Sequence, residues 1–217
     1  MTLAITNGRT ALILVDLQYD FVEGGALPVP GGLEVVAVAN QLMTKFDLVV
    51  ATQDWHPANH QSFASQHPGM VIGQTFDLHG TLQIAWPDHC IQGTHGADLL
   101  KELELDKIHQ VMRKGENQMI DSYSGFFDNG HREVTGLAEY LHREQVSKVA
   151  IMGLATDYCV RFTALDSIEL GFRTCLIQDG CRGVNLCPGD IKSALQEMKS
   201  AGVVLTNSED WESSLGE

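Results

Sequence analysis

Six short apolar runs, separated by helix-like segments, constrain the fold of this chain more than any other feature. Ala11-Leu12-Ile13-Leu14-Val15, Leu48-Val49-Val50-Ala51, Val149-Ala150-Ile151-Met152 and Thr174-Cys175-Leu176-Ile177 are nearly continuous. Ile108 to Met112 is a weaker run, and Val203-Val204-Leu205 comes late. Runs without alternation suit strands buried on both faces, as in a parallel sheet. Between them lie helical patterns over Leu33 to Phe46, Leu137 to Arg143 and Ile191 to Ala201. A further helix follows Val160, where Val160, Thr163, Ala164 and Ile168 recur at helical spacing and Gly171 is placed as the C-cap. The alternation predicts a three-layer α/β/α architecture around a doubly wound, parallel, six-stranded sheet. Ligands in such folds bind beyond the carboxyl ends of the strands. Polar residues just past an apolar run are therefore the candidates for function.

The chain has 217 residues with 44% hydrophobic content, enough for one α/β domain, expected to span residues 1–217. A formal net charge of -14 argues against nucleic acid and against an anionic membrane surface as partners. No apolar run approaches the length of a membrane span, and no basic region followed by an apolar core opens the chain. A cytoplasmic location is expected. Five cysteines, with no CxxC pair, point to reduced thiols rather than to disulfides or a cysteine-zinc site.

Several residues pass the strand-end filter. Asp16 directly follows the first run, Asp54 follows the second, and Lys114 follows the weaker run. Cys159 lies just beyond Val149 to Met152, where Asp157 reads as a helix N-cap. In the first helical turn its thiol would be biased toward thiolate, and nearby backbone amides could hold an oxyanion. A buried, inert core thiol is the plainer reading of Cys159 taken alone. Asp54-x-His56, extended, places two ligands on one side, and His89 could return from the long irregular stretch 55–105 as a third. Asp/His/His with open positions describes a catalytic metal site, and it suits zinc, iron or manganese alike. His60 reads equally as a fourth ligand, a supporting partner or a surface histidine. Phe21, Trp86, Tyr123 and Tyr158 could line a slot for a flat ring. Asp20 reads either as a supporting acid or as a loop acid, and Cys90, Cys175, Cys181 and Cys187 as structural or incidental.

Together these segments resemble the isochorismatase-like cysteine hydrolases, and in particular their nicotinamidase/pyrazinamidase branch. The matching stretches are Asp16-Leu17-Gln18-x-Asp20-Phe21 with Gly24-Gly25-Ala26-Leu27-x-Val29-Pro30, then Thr52-Gln53-Asp54-Trp55-His56-Pro57-x-Asn59-His60-x-Ser62-Phe63, and Trp86-Pro87-x-His89-Cys90. Lys114-Gly115, Asp121-Ser122-Tyr123-Ser124-x-Phe126, Gly153 to Val160 and Asp179 to Val184 complete the set, in order, over nearly the whole chain. The resemblance implies an isochorismatase-like fold and a catalytic triad of Asp16, Lys114 and Cys159. It implies one divalent metal on Asp54, His56 and His89, and a cis peptide at Leu154–Ala155 with an oxyanion hole from the Ala155 and Cys159 amides. It also implies a substrate pocket of Phe21, Trp86, Tyr123, Ala155 and Tyr158. The implied reaction is hydrolysis of nicotinamide to nicotinate and ammonia, or of pyrazinamide to its acid, through a cysteine thioester in NAD salvage. Another isochorismatase-like hydrolysis and a metal-water amidohydrolase are the competing readings. The expected partner is a small-molecule amide, and a homo-oligomer is left open.

Overall fold

The computed structural model describes residues 8–215. Its central sheet has six parallel strands: β1 (Arg9–Val15), β2 (Val49–Asp54), β5 (Gln110–Lys114), β6 (Val146–Leu154), β7 (Arg173–Arg182) and β8 (Val204–Thr206), in the spatial order β5-β2-β1-β6-β7-β8. All six predicted strands are present. Ala11 to Val15 and Val49 to Ala51 are buried, as strands covered on both faces must be. The order reverses between β1 and β6, so the switch point, where a crevice opens, lies at their carboxyl ends.

Helices α1 (Val35–Met43), α2 (Leu137–Arg143), α3 (Cys159–Glu169), α4 (Asp190–Ser200) and the short α5 (Trp211–Ser214) pack against this sheet. Sequence periodicity found the first four and missed α5, which is too short to show a period. Gly171 closes α3 in a Schellman turn: its N–H bonds to Ile168, and the Phe172 N–H to Ser167. Asp157 is not the N-cap of α3. That position falls to Tyr158, without a side-chain hydrogen bond. The Asp157 carboxylate instead accepts the Val184 and Asn185 N–H groups, at 2.9 and 2.6 Å, and so ties down the segment after β7.

The irregular stretch 55–105 contains an antiparallel hairpin of β3 (Thr75–Leu78) and β4 (Thr81–Ile84). Its strands are four residues each, with Leu82 exposed and the polar Gln83 buried, so no continuous apolar run and no regular alternation announces it. Among the described residues, no helix is long and apolar enough to cross a membrane.

One close approach sets the geometry at the switch point. Gly153 pairs with Val15 and has a φ of 128°. A Cβ there would overlap the Val15 carbonyl. Gly153→Ala must therefore separate β1 from β6 or force an unfavourable backbone, and it should cost more than about 2 kcal/mol. Urea denaturation would measure this, and a change within about 0.5 kcal/mol would contradict the packing argument.

Candidate active site and metal centre

Asp16, Asp54 and Lys114 sit at the carboxyl ends of three adjacent strands, β1, β2 and β5. Register places Asp54 directly opposite Lys114. Cys159 arrives at the same point from β6, as the first residue of α3. Asp16, Asp54, Lys114 and Cys159 are all buried. The Lys114 Nζ lies 2.9 Å from Asp16 Oδ2, 2.5 Å from Asp54 Oδ1 and 3.4 Å from Cys159 Sγ, and it donates to the Ser122 carbonyl at 2.8 Å.

The electrostatics of this cluster follow from burial and from one cation. Burial raises the Asp16 pKa to about 6, against the opposing pull of Lys114. Asp16 Oδ1 takes the Thr52 hydroxyl at 2.5 Å, while Oδ2, although beside the ammonium, lacks a properly directed hydrogen bond. Asp16 also has a φ of 51°, an uncommon backbone state for a residue with a side chain. Burial also raises Asp54, but Lys114 and His56 outweigh it and hold that carboxyl well below the ordinary range. Lys114 keeps its charge because the two carboxylates outweigh the cost of its burial.

Cys159 departs from the sequence expectation of a thiolate. Burial raises its pKa most, Lys114 opposes this, and Asp16 and Asp54 raise it further, to well above the ordinary thiol value. The resting group is a thiol whose sulfur lies within 4.8 Å of an Asp16 carboxylate oxygen. Its proton must therefore leave as the sulfur reacts, and a carboxylate is placed to take it.

Asp54, His56 and His89 place one ligand atom each within 4.8 Å of one another. The Nε2 atoms of His56 and His89 lie 3.7 and 3.9 Å from Asp54 Oδ2. Each ring donates its Nδ1 proton to a backbone carbonyl, His56 to Gly115 at 2.9 Å and His89 to Pro87 at 2.8 Å. A carbonyl can only accept, so in the neutral rings Nε2 carries the lone pair. His56 Nε2 is buried with no hydrogen-bond partner. Two convergent lone pairs, one of them otherwise orphaned, and a carboxylate fit a divalent ion.

The loops are held to this geometry by side chains in the matched motifs. Gln18 bonds both sides of the Asp54 peptide, taking its N–H and donating to its carbonyl, each at 2.8 Å. Asp20 takes the Cys90 N–H at 2.7 Å, next to His89, so of its two readings the supporting role holds. Cys90 is buried with Sγ near the Gly96 carbonyl and does not line the pocket. His60 bonds the Ser62 hydroxyl at 2.7 Å and the Ile120 carbonyl at 3.3 Å, with its ring 4.4 Å from that of His56. It lies outside the Asp54–His56–His89 group and forms, with His56 and Asp121, a second buried cluster whose ligand atoms lie within 4.8 Å of one another.

Cys159 lines one pocket together with Phe21, Trp86, Tyr123, Ala155, Tyr158, His89 and Asp54. Trp86 and Tyr158 meet edge to face at 4.9 Å. The Leu154–Ala155 peptide is cis. Among the described residues, neither the Ala155 nor the Cys159 N–H meets an acceptor.

A family model described as the isochorismatase domain matches residues 10–210. The chain belongs to the isochorismatase family. A nicotinamidase of Escherichia coli (strain K12) is 50% identical to it over 210 residues, covering 95% of this chain and 98% of the relative. A nicotinamidase/pyrazinamidase structure from Acinetobacter baumanii superposes with a TM-score of 0.92 at 42% identity, covering 95% of this chain and all of that one. A pyrazinamidase of Pyrococcus horikoshii, in complex with zinc, has a TM-score of 0.76 at 38% identity, covering 92% and 99%.

This isochorismatase-family site also contains residues that sequence reasoning did not place. Leu27, Asp121 and Val184 line the pocket. Asp121 follows no apolar run, and Val184 is held there by Asp157 across 27 residues, so neither gives a local signal. Gly115 is the backbone acceptor that orients His56. It has a φ of 68°, and a Cβ on it would overlap the His56 ring. Gly115→Ala should therefore weaken metal binding by about 10- to 100-fold while leaving the circular dichroism spectrum unchanged. Metal analysis after competition with a chelator would test this, and unaltered retention of the ion would refute the role given to Gly115.

Proposed function

We infer that this chain is a nicotinamidase, hydrolysing nicotinamide to nicotinate and ammonia, and pyrazinamide likewise. The observation that carries the reading is the buried Lys114 ammonium, in contact with a cysteine thiol, a proton acceptor and a metal-ligating carboxylate at once. High identity to a nicotinamidase over nearly the whole chain supports it. So does the likeness to the structure of PnC1 from L. infantum in complex with nicotinate, with a TM-score of 0.81 at 38% identity.

In this reaction Asp16 takes the Cys159 proton as the sulfur attacks the carboxamide carbon. Lys114 remains charged and stabilises both the carboxylate and the developing sulfur anion. The Ala155 and Cys159 N–H groups receive the oxyanion, each contributing about 3 kcal/mol to the lowered barrier. Asp16 returns its proton to the departing amine, and ammonia leaves an acyl thioester on Cys159. Asp16 then takes a proton from water as that water attacks the thioester. Nicotinate is released, and the proton restores the thiol. A carboxyl with a pKa near 6 suits this repeated exchange close to neutrality.

Asp54, His56 and His89 would hold one divalent ion, zinc or iron in this proposal. When bound, it would supply a Lewis-acid position for the ring nitrogen of the amide or for water. Phe21, Trp86, Tyr123 and Tyr158 hold the ring flat over Cys159. The proposal includes a single domain over residues 1–217, a cytoplasmic location and a place in NAD salvage.

Ammonia release from nicotinamide by the purified protein, with metal analysis of the same sample, tests the reading directly. Cys159→Ala should abolish turnover with the fold and metal content retained. Wild-type protein quenched during turnover of a slow amide should carry one acyl adduct, on Cys159. Substantial residual activity in the variant would sink the covalent route.

Asp16→Asn keeps the size of the side chain but cannot accept the thiol proton. We expect kcat to fall at least about 10³-fold, a loss within the range of general-base catalysis, with the affinity for nicotinate little changed. A loss below about tenfold would mean that another group takes the proton.

A further inference from the structure

Gln83 is a buried polar group that the chemical steps do not use. Gln83, 1% exposed, belongs to β4, outside the main sheet. Its amide nitrogen lies 3.0 Å from the Ile84 carbonyl, 3.0 Å from Asp121 Oδ2 and 2.9 Å from the Tyr123 hydroxyl. Its amide oxygen takes the Asn129 amide at 3.2 Å. A backbone carbonyl and a carboxylate need a donor, so the nitrogen must face them, and the orientation of the amide is fixed by its surroundings.

That orientation has a consequence for Tyr123. The phenol oxygen has two polar neighbours, the Gln83 amide nitrogen and the Trp86 indole nitrogen, both at 2.9 Å. Neither nitrogen has a lone pair to accept a proton. The indole N–H donates to the oxygen; the two Gln83 amide protons are divided among three acceptors, so the oxygen receives at most a share of one, and the phenol proton, which neither nitrogen can accept, has to point elsewhere. Among the described residues it meets no acceptor. Tyr123 is among the residues that line the pocket with Cys159. Burial and the nearby Asp121 carboxylate push the phenol pKa well above its ordinary value, which keeps the proton in place.

We propose that Gln83 is a positioning residue that, with Trp86, turns the Tyr123 O–H into the substrate pocket as a fixed donor for an acceptor atom of the pyridine carboxamide. The hairpin thus has a part in recognition: it carries the amide that denies Tyr123 any other direction for its proton. An amide offers such an acceptor, and the acid product offers one too. The proposal rests on the nicotinamidase reading. It concerns substrate binding and leaves the chemical steps to Asp16, Lys114 and Cys159.

The test is a double-mutant cycle on the metal-loaded enzyme with nicotinamide. Gln83→Met removes the amide at nearly constant length, and Tyr123→Phe removes the hydroxyl. Each should raise KM by about tenfold, the typical value of one hydrogen bond, with kcat within about twofold of wild type. The double variant should be no worse than Tyr123→Phe alone, because Gln83 acts through that hydroxyl. A structural role would instead lower kcat and the folded fraction, and its effect would multiply with that of Tyr123→Phe.

An unmoved KM in Gln83→Met, or a KM about 100-fold raised in the double variant, would overturn the proposal. Should Gln83→Met fail to fold, Tyr123→Phe still decides, since an unchanged KM there removes the donor from recognition. Wild-type turnover is measured alongside. Its absence would overturn the functional reading itself, whereas its presence with unmoved variants overturns only this inference.

Discussion

One buried cation organises this molecule. Removing an ammonium from water costs several kcal/mol unless its surroundings restore what is lost, and Lys114 recovers it from two carboxylates, a backbone carbonyl and a sulfur. Each of those partners lies at the end of a different strand or on a loop anchored to one. The strands must therefore finish together for the charge to be tolerated, and the charge in turn holds the strand ends in place. Removing either carboxylate would leave the ammonium partly uncompensated. The active cluster and the packing of the sheet are thus one set of constraints.

The cluster also assigns different states to similar groups. Asp16 and Asp54 both face Lys114, yet burial dominates at Asp16 and raises its pKa to about 6, while the cation and His56 dominate at Asp54 and lower it. One carboxyl is left able to exchange a proton near neutrality and the other stays ionised, the state that the proposed metal site requires. The same burial keeps Cys159 a thiol, so nucleophile and acceptor are matched only during reaction. A permanently ionised sulfur would have been a second anion competing for the one cation.

Much of this was legible in the sequence because the sheet is parallel and fully covered. Apolar runs mark such strands, and Asp16, Asp54 and Lys114 stand where the runs end. Cys159 was legible for a related reason, since it opens the helix that follows β6 after the short connection 155–158. The ionisation of Cys159 was not, because a helix N-terminus is visible in a local motif while the surrounding burial and two distant carboxylates are not. Asp157 looked like a cap because its own neighbourhood suggested one, yet its partners are 27 and 28 residues away. Asp121 and Val184 line the pocket from irregular loops, and Gln83 touches Asp121 and Tyr123 from a short hairpin. Such segments show no periodicity, so their contribution had to be seen in three dimensions.

The pairing register at the switch point acts as a ruler for the site. Val15 is matched to Gly153 and Asp54 to Lys114, so Asp16, Asp54 and Lys114 each lie at or next to a strand's last paired position. A single residue inserted in β1 would move Asp16 by about 3.3 Å and turn it to the opposite face. Length changes during divergence are therefore barred from the inner strands and confined to segments outside the ladder. The exposed glycine turns at Gly69, Gly73 and Gly80, where an added side chain would meet nothing, are where the chain can grow without disturbing the chemistry.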